Sequence, residues 1–335
     1  MISLKKILDK LYAVKSPSGY ETAMAEVISE IAADAGLECH RDALGNLLVH
    51  RRGAGKKCIL DAHLDTTGVM ATYIDENGYV RFDALGGLSA ADIQNAEVEF
   101  LNGTRGRIFY EEKCELSKRK ISSLYIDIGA KDETSARALV LPGDAAVFSG
   151  NVRELSGGRI MAPYLDNRLG CAILLHTLLS LKKCEYDVWG VFAAQEEVGL
   201  RGAKVAAYGI DADFAIVLDV TDSLDTPEHK GHGETKMSGG AAIKIMDRAF
   251  VAHPAVTSAL ESAAEKANIA YQRDVITVGG TDGGSINLTR GGVPTGGISV
   301  AVRYMHTPCE VADMEDVESA EKLLLYVLEN HCIIL

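Results

Sequence analysis

The chain has 335 residues, 47% of them hydrophobic, enough for one large domain or two with a substantial core. Lys and Arg number 34 against 47 Asp and Glu, and the net charge of −13 argues against a nucleic-acid or anionic-membrane partner. Seven scattered cysteines without a CxxC pair argue against a disulfide framework and fit a reducing cytoplasm, and no apolar run reaches the roughly 18 residues of a membrane span.

The opening "MISLKKILDKLYAV" mixes charges into its apolar stretch and has no small-residue cleavage site, so residues 2–13 read as an amphipathic helix, not a signal peptide. "SPSGYE" breaks that pattern, and a second helix is expected over 20–35 with Ser18 as its cap. "GNLLVHR" and "KKCILDAHLD" are short apolar runs between glycine and polar residues, hence strands. From about 68 to 158 the texture changes to short alternating segments between glycine-bearing turns, with "ENG" marking a hairpin. That stretch reads as all-β with a helix near 132–138, and its basic triplet Lys118, Arg119 and Lys120 as a solvated loop. Helical and strand patterns then alternate: "NRLGCAILLHTLLSL" helix, "YDVWGVFAAQ" strand, "AKVAAYGI" helix, "FAIVLDV" strand, "PAVTSALESAAEKAN" helix, "PTGGISVAV" strand, "VESAEKLLLYVLENH" helix. Such alternation predicts a three-layer α/β/α sandwich, built from residues 1–67 and 159–335 and interrupted by a β-rich insertion at 68–158.

Polar residues gather where these strands end. "ILDAHLD" ends in His63 and Asp65, "VFAAQEE" in Glu196 and Glu197, and "IVLDVT" carries Asp219. Asp166 precedes a helix in "APYLDNR", and His306 follows a strand in "VRYMHTPCE". Taken singly, each has a bland explanation: Asp166 is a good helix cap, His63 a satisfied core histidine, the others turn formers. Taken together, several acids at the carboxyl edge of one sheet would repel one another and suffer desolvation unless a cation compensates. Carboxylates mixed with imidazoles are the donors of a divalent-metal site, and their number suggests two ions sharing one carboxylate. The adjacent glutamates then divide the labour, Glu197 aiming at a metal and Glu196 at the water it activates.

These ordered motifs resemble the M42 peptidases, the glutamyl aminopeptidase, deblocking aminopeptidase and TET group, some of whose members carry endoglucanase labels. "SPSGYE", "DALGNLL", "DAHLDTTGVMATYIDENGYVRFDALGG", "YIDIGAKDE", "PGDAAVF", "APYLDNRLGC", "AAQEEVGLRGA", "VLDVT", "GGTDGGS", "GVPTGGIS" and "RYMHTPCE" carry the likeness nearly end to end. The resemblance implies that His63 and Asp219 hold one metal, Glu197 and His306 the other, with Asp166 bridging. It makes Glu196 the general base and acid, and Asp65 a catalytic-site residue orienting His63. It also implies two divalent ions, zinc or sometimes cobalt, and short peptide substrates cut from the N-terminus. The insertion becomes a dimerisation domain, with dimers able to build a tetrahedral dodecamer.

Thr66 departs from the family's usual Glu, and "SGGAAIKIMD" (238–247) lacks its frequent Gly-Pro pair, which leaves substrate choice open. "GGTDGGS" reads either as a plain turn or as a loop bringing Asp282 to the active site, and His229 and His232, which are not assigned to metal, either as plain loop residues or as residues of a pocket rim. Cys309 is expected to be a buried apolar residue in preference to a soft metal contact. A glycoside hydrolase also uses two carboxylates, but needs neither the histidines nor the further acids, and one tryptophan is poor for sugar stacking. A metal-dependent carboxypeptidase or deacylase is the nearest enzymatic rival, and a metal-stabilised assembly without catalysis the non-enzymatic one.

Overall fold

The computed structural model describes residues 2–115, 119–227 and 233–334. The first helix, α1 (Leu4–Tyr12), buries Leu4, Ile7, Leu8 and Leu11, and Ser3 caps it by accepting from the Lys6 amide. The next, α2 (Thr22–Asp34), begins after Glu21 with no side-chain cap. Ser18, expected to cap it, instead donates its hydroxyl to Asp65 Oδ2 at 2.7 Å. Then come β1 (Glu38–Arg41), β2 (Leu47–Arg51) and β3 (Lys57–His63).

From β3 the chain leaves for a separate unit. Its elements are β4 (Gly68–Ile74), β5 (Val80–Leu85), α3 (Ala90–Ile93), β6 (Glu97–Phe100), β7 (Arg105–Tyr110), β8 (Leu124–Asp127), α4 (Glu133–Arg137) and β9 (Ala145–Phe148). The strands close into a barrel in the order β4-β5-β8-β7-β6-β9. The "ENG" turn joins β4 to β5, with Asp75 Oδ1 accepting from the Asn77 and Tyr79 amides. Inward-facing Val69, Ile74, Val80, Val98, Phe100, Ile108 and Ile126 fill the barrel and form a core of their own. Of the expected basic loop, Lys118 lies outside the described residues, and Arg119 stacks its guanidinium over the Tyr110 ring at 3.2 Å.

The return begins at β10 (Arg153–Glu154) and β11 (Arg159–Ala162), which pair in the main sheet. There follow α5 (Leu165–Ser180), β12 (Asp187–Ala193), α6 (Arg201–Ile210), β13 (Phe214–Asp222), β14 (Ala241–Met246), α7 (Pro254–Ala267), β15 (Tyr271–Val275), α8 (Gly283–Ile286), β16 (Thr295–Arg303), β17 (Glu310–Asp313) and α9 (Met314–Glu329). Among the described residues the sheet has 11 strands, ordered β1-β2-β12-β3-β13-β16-β17-β11-β10, with β14 and β15 branching from β16.

At its centre β12, β3, β13 and β16 run parallel, covered on both faces. Alternate residues of β13 serve opposite layers. Ile216, Leu218 and Val220 face the core shared with α1, α2, α5, α7 and α9, while Ala215 and Val217 face the one shared with α6 and α8. Burial on both faces is why "FAIVLDV" reads as an unbroken apolar run. The three expected layers are thus present, with the barrel emerging between β3 and β10. "GGTDGGS" opens α8, and its glycines let the backbone approach closely: a Cβ at Gly284 would stand 2.4 Å from the Ala249 side chain.

One charged pair lies inside this fold. Lys244 Nζ is 2.5 Å from Asp274 Oδ2, joining β14 to β15, and both side chains are fully buried. Asp274→Ala strands that ammonium and is expected to cost about 3–5 kcal/mol in chemical denaturation. The apolar double variant Lys244→Met/Asp274→Leu is expected to recover most of the loss.

Candidate metal centre

Parallel strands bring their carboxyl ends to one edge, and the site is assembled there. His63 is the last residue of β3 and lies opposite Ala193 at the end of β12. Past Ala193 the chain turns sharply, with Gln195 at φ 59°, and sends Glu196 and Glu197 towards the same edge. The fully buried Asp65 carboxylate fixes this turn: Oδ1 accepts from the Glu196 amide at 2.9 Å and Oδ2 from the Glu197 amide at 3.2 Å. Orientation of the His63 ring falls mainly to the Asp65 main chain, whose carbonyl lies 3.0 Å from Nδ1, while the carboxylate is 3.5 Å away.

Asp166 sits at the centre. Its Oδ1 is 3.0 Å from His63 Nε2 and its Oδ2 is 3.2 Å from His306 Nε2. Asp219 Oδ1 completes one side, 3.5 Å from His63 Nε2, and Glu197 Oε2 the other, 3.5 Å from His306 Nε2. Two donor groups result, His63–Asp166–Asp219 and Asp166–Glu197–His306, each with ligand atoms within 4.8 Å of one another and with Asp166 common to both. Glu196 belongs to neither group and lines the adjoining cavity. The doublet is therefore split between the two positions that its neighbouring residues face.

The imidazole tautomers follow from the carbonyls they meet. A carbonyl only accepts, so His63 Nδ1 donates to Asp65 O and His306 Nδ1 donates to Gly87 O at 2.9 Å. In the neutral rings both Nε2 lone pairs are thereby turned towards Asp166, as metal ligation requires. Gly87 comes from the strap leaving the barrel strand β5. Its neighbour Gly86 has φ 92°, and a Cβ there would meet Glu197 Oε2 at 2.9 Å. A side chain would thus be both strained and in collision with the site.

Electrostatics points to positive charge. Burial works to lower the His63 pKa, but hydrogen bonds to the Asp166, Asp219 and Asp65 carboxylates outweigh it and hold the ring well above the usual range. His306 is likewise pushed up to about 10, the Asp166 hydrogen bond overcoming burial. Burial, with the charge of Asp166, lifts Glu197 to about 8, and burial raises Asp219. Without cations, the cluster satisfies itself only by taking up protons. Glu197 Oε1 is buried with no hydrogen-bond partner among the described residues, as an oxygen left for a metal would be. The donor set, two imidazoles and three carboxylates, fits divalent ions of the zinc and cobalt kind.

Sequence reasoning missed three contributors. Glu310, first residue of β17, accepts from the Asp166 amide through Oε2 at 3.0 Å and from the His306 amide through Oε1 at 2.9 Å. It does for this half of the site what Asp65 does for the other. Asp61, two residues before His63, faces Asp282 in the interior, and burial pushes Asp61 well up and Asp282 to about 7. Asp282 thus lies beneath the site, not in an idle turn. The third is the Gly86–Gly87 strap, for which no local signal exists.

Other expectations resolve simply. Cys309 is exposed, not buried, because its loop turns outward between β16 and β17. Thr66 is buried and its amide bonds the Ser16 carbonyl at 3.0 Å, away from the cavity wall. His229 and His232 lie outside the described residues.

The family model for the M42 glutamyl aminopeptidases matches residues 45–323. The chain belongs to the M42 family. A relative of this M42 chain from Acetivibrio thermocellus, which carries an aminopeptidase name without a substrate, is 45% identical over 320 residues, 95% of this chain and 96% of its own. The aminopeptidase APDkam598 of Desulfurococcus kamchatkensis superposes with a TM-score of 0.92 at 34% identity, covering 98% of this chain and 94% of that one. The Pyrococcus horikoshii TET1 peptidase, which can assemble into a tetrahedron or a large octahedral shell, gives a TM-score of 0.87 at 28% identity, with 97% and 99% covered.

Glu310→Gln replaces one acceptor oxygen by a donor facing an N–H, and is expected to weaken divalent-ion binding about 10–100-fold by calorimetric titration. Protonated imidazoles cannot ligate, so apparent zinc affinity of the wild type should rise with pH through the Glu197 value of about 8 and towards the His306 value of about 10. Titrations in buffers of different ionisation enthalpy should then register proton release.

Proposed function

We propose that this M42 chain is a two-metal aminopeptidase that removes N-terminal residues from short peptides. His63 and Asp219 would hold one divalent ion, Glu197 and His306 the second, and Asp166 both, with zinc as the favoured metal and cobalt as the alternative. The observation that carries the reading is Asp166, set between two imidazole Nε2 atoms at 3.0 and 3.2 Å, while the Glu196 carboxylate stays outside both donor groups. Bound there, the ions would acidify a water molecule and polarise the scissile carbonyl.

The chain's own residues would do the rest. A carboxylate oxygen of Glu196 accepts the proton from the attacking water and passes it to the departing amine. Burial, together with the charges of Asp282, Asp219 and Glu197, raises the proton affinity of Glu196, as a general base requires. Asp65 and the Glu196 amide hold that carboxylate's backbone in place. The apolar walls of the cavity, Val220, Ile276 and Met305 among them, exclude bulk water and receive the first side chain of the peptide. The rival glycosidase reading finds no support in a cavity without an aromatic platform among its lining residues.

The barrel is proposed as the dimerisation unit, supported by Tyr73, Leu139 and Leu141, which stand 56%, 45% and 53% exposed on it. The dodecamer of the PhTET1-12s structure and the tetrahedron that the Pyrococcus horikoshii TET1 peptidase can form support a tetrahedral dodecamer as the larger form. No helix among the described residues is long and apolar enough to cross a membrane, and a cytoplasmic site of action is proposed from the unpaired cysteines.

Chelation should abolish release of an aminoacyl anilide, and zinc or cobalt should restore it, while a soluble glucan stays untouched throughout. Glu196→Gln is expected to lower kcat by about 10²–10⁴-fold with metal content unchanged by elemental analysis; retained turnover would remove Glu196 from this role.

A further inference from the structure

The proposed function leaves open which N-terminal residue the cavity accepts, and one side chain in it is not used by that mechanism. The cavity is about 330 Å³, large enough for one amino-acid side chain beside the donor groups. Its walls away from the donors are aliphatic: Leu200, Val220, Ile276, Val278 and Met305. Into this lining β13 places a single further charged group, Asp222, three residues beyond Asp219 and half-buried.

Among the described residues the Asp222 side chain makes no hydrogen bond and no ion pair, in contrast to Asp225, which pairs with Arg303 at 2.6 Å. Of the positive charges that reach it, His306 comes first but faces Asp166 and Glu197, and Lys244 is committed to Asp274 at 2.5 Å. No described lysine or arginine lines the cavity. A half-buried carboxylate without a cationic partner is costly, and its usual compensation is a ligand of opposite charge. The same lining offers an acidic side chain no partner and sets it against Asp222. An aliphatic neutral side chain would pack on the walls but leave the carboxylate unsatisfied.

Resting on the aminopeptidase reading, we infer that Asp222 is the specificity-determining residue of this cavity, selecting peptides whose N-terminal residue is lysine or arginine. The aliphatic walls pack the methylene stem, as long basic side chains require, and the carboxylate receives the ammonium or guanidinium head. The preference is thus expected to run basic over neutral over acidic, opposite to what the glutamyl name of the family suggests.

The test compares kcat/KM for lysyl, arginyl, leucyl and glutamyl aminomethylcoumarins on the zinc-loaded and cobalt-loaded enzyme. The wild type should favour lysyl over leucyl by at least about tenfold and treat glutamyl worst. Asp222→Asn should reduce the lysyl-to-leucyl ratio by about tenfold or more, Asp222→Glu should retain it, and Asp222→Lys should raise glutamyl relative to lysyl. A wild type that favours leucyl or glutamyl, or a ratio that Asp222→Asn moves less than twofold, overturns the inference. Calorimetric binding of lysinamide and leucinamide to the same metal-loaded proteins separates the two readings. If no coumarin is cleaved, the aminopeptidase reading falls. The inference then stands only if lysinamide binds more tightly than leucinamide and loses that advantage in Asp222→Asn; equal binding overturns it.

Discussion

Asp166 presents one carboxylate oxygen to each of two imidazoles, and everything else at this sheet edge exists to keep that geometry. The arrangement is electrostatically expensive. Asp65, Asp166, Glu196, Glu197, Asp219 and Glu310 crowd a largely buried region, and among the described residues no lysine or arginine lines its cavity. Buried acids in that number require positive charge. The protons drawn onto His63 and His306 supply it in the metal-free protein, and divalent ions would supply it in the working enzyme. Metal binding, protonation and the fold of this edge are therefore three expressions of one charge balance.

Two carboxylates that touch no donor group's ligand atoms give the edge its rigidity. Asp65 binds the amides of residues 196 and 197, and Glu310 binds those of residues 166 and 306. Each clamps the backbone of the segments that carry the ligands, so ligand direction is set before any ion arrives. The barrel adds a third restraint through Gly87, whose carbonyl fixes the His306 tautomer. The inserted unit is thus coupled to the site by a hydrogen bond as well as by chain connectivity. Asp222 is the counterpart on the substrate side, a charge placed to be answered by a ligand.

Much of this was legible in the residue pattern. The strands and long helices could be read because doubly buried strands give unbroken apolar runs and their covering helices give a 3.6-residue stripe. His63, Glu196, Glu197, Asp219 and His306 could be named because each stands where an apolar run stops, and the fold gathers such ends at one edge. Short elements such as β1, β10, β15 and β17 were not distinguishable, since a few residues carry no periodicity of their own. Ser18 looked like a cap because Ser before a helical pattern usually is one. Its hydroxyl was claimed by Asp65, 47 residues away.

By itself, then, the sequence determined the element types, the insertion into an α/β framework and the chemical kinds of side chain delivered to the sheet edge. Those follow from local periodicity and from where apolar runs end. Only the tertiary structure decided that Asp166 stands between the histidines, that Glu310 clamps residue 166 across a separation of 144, and that Gly87 meets His306 across one of 219. Such contacts depend on strand register and crossover paths summed over the whole chain. A backbone amide or carbonyl leaves no mark in the sequence of the carboxylate or imidazole that binds it.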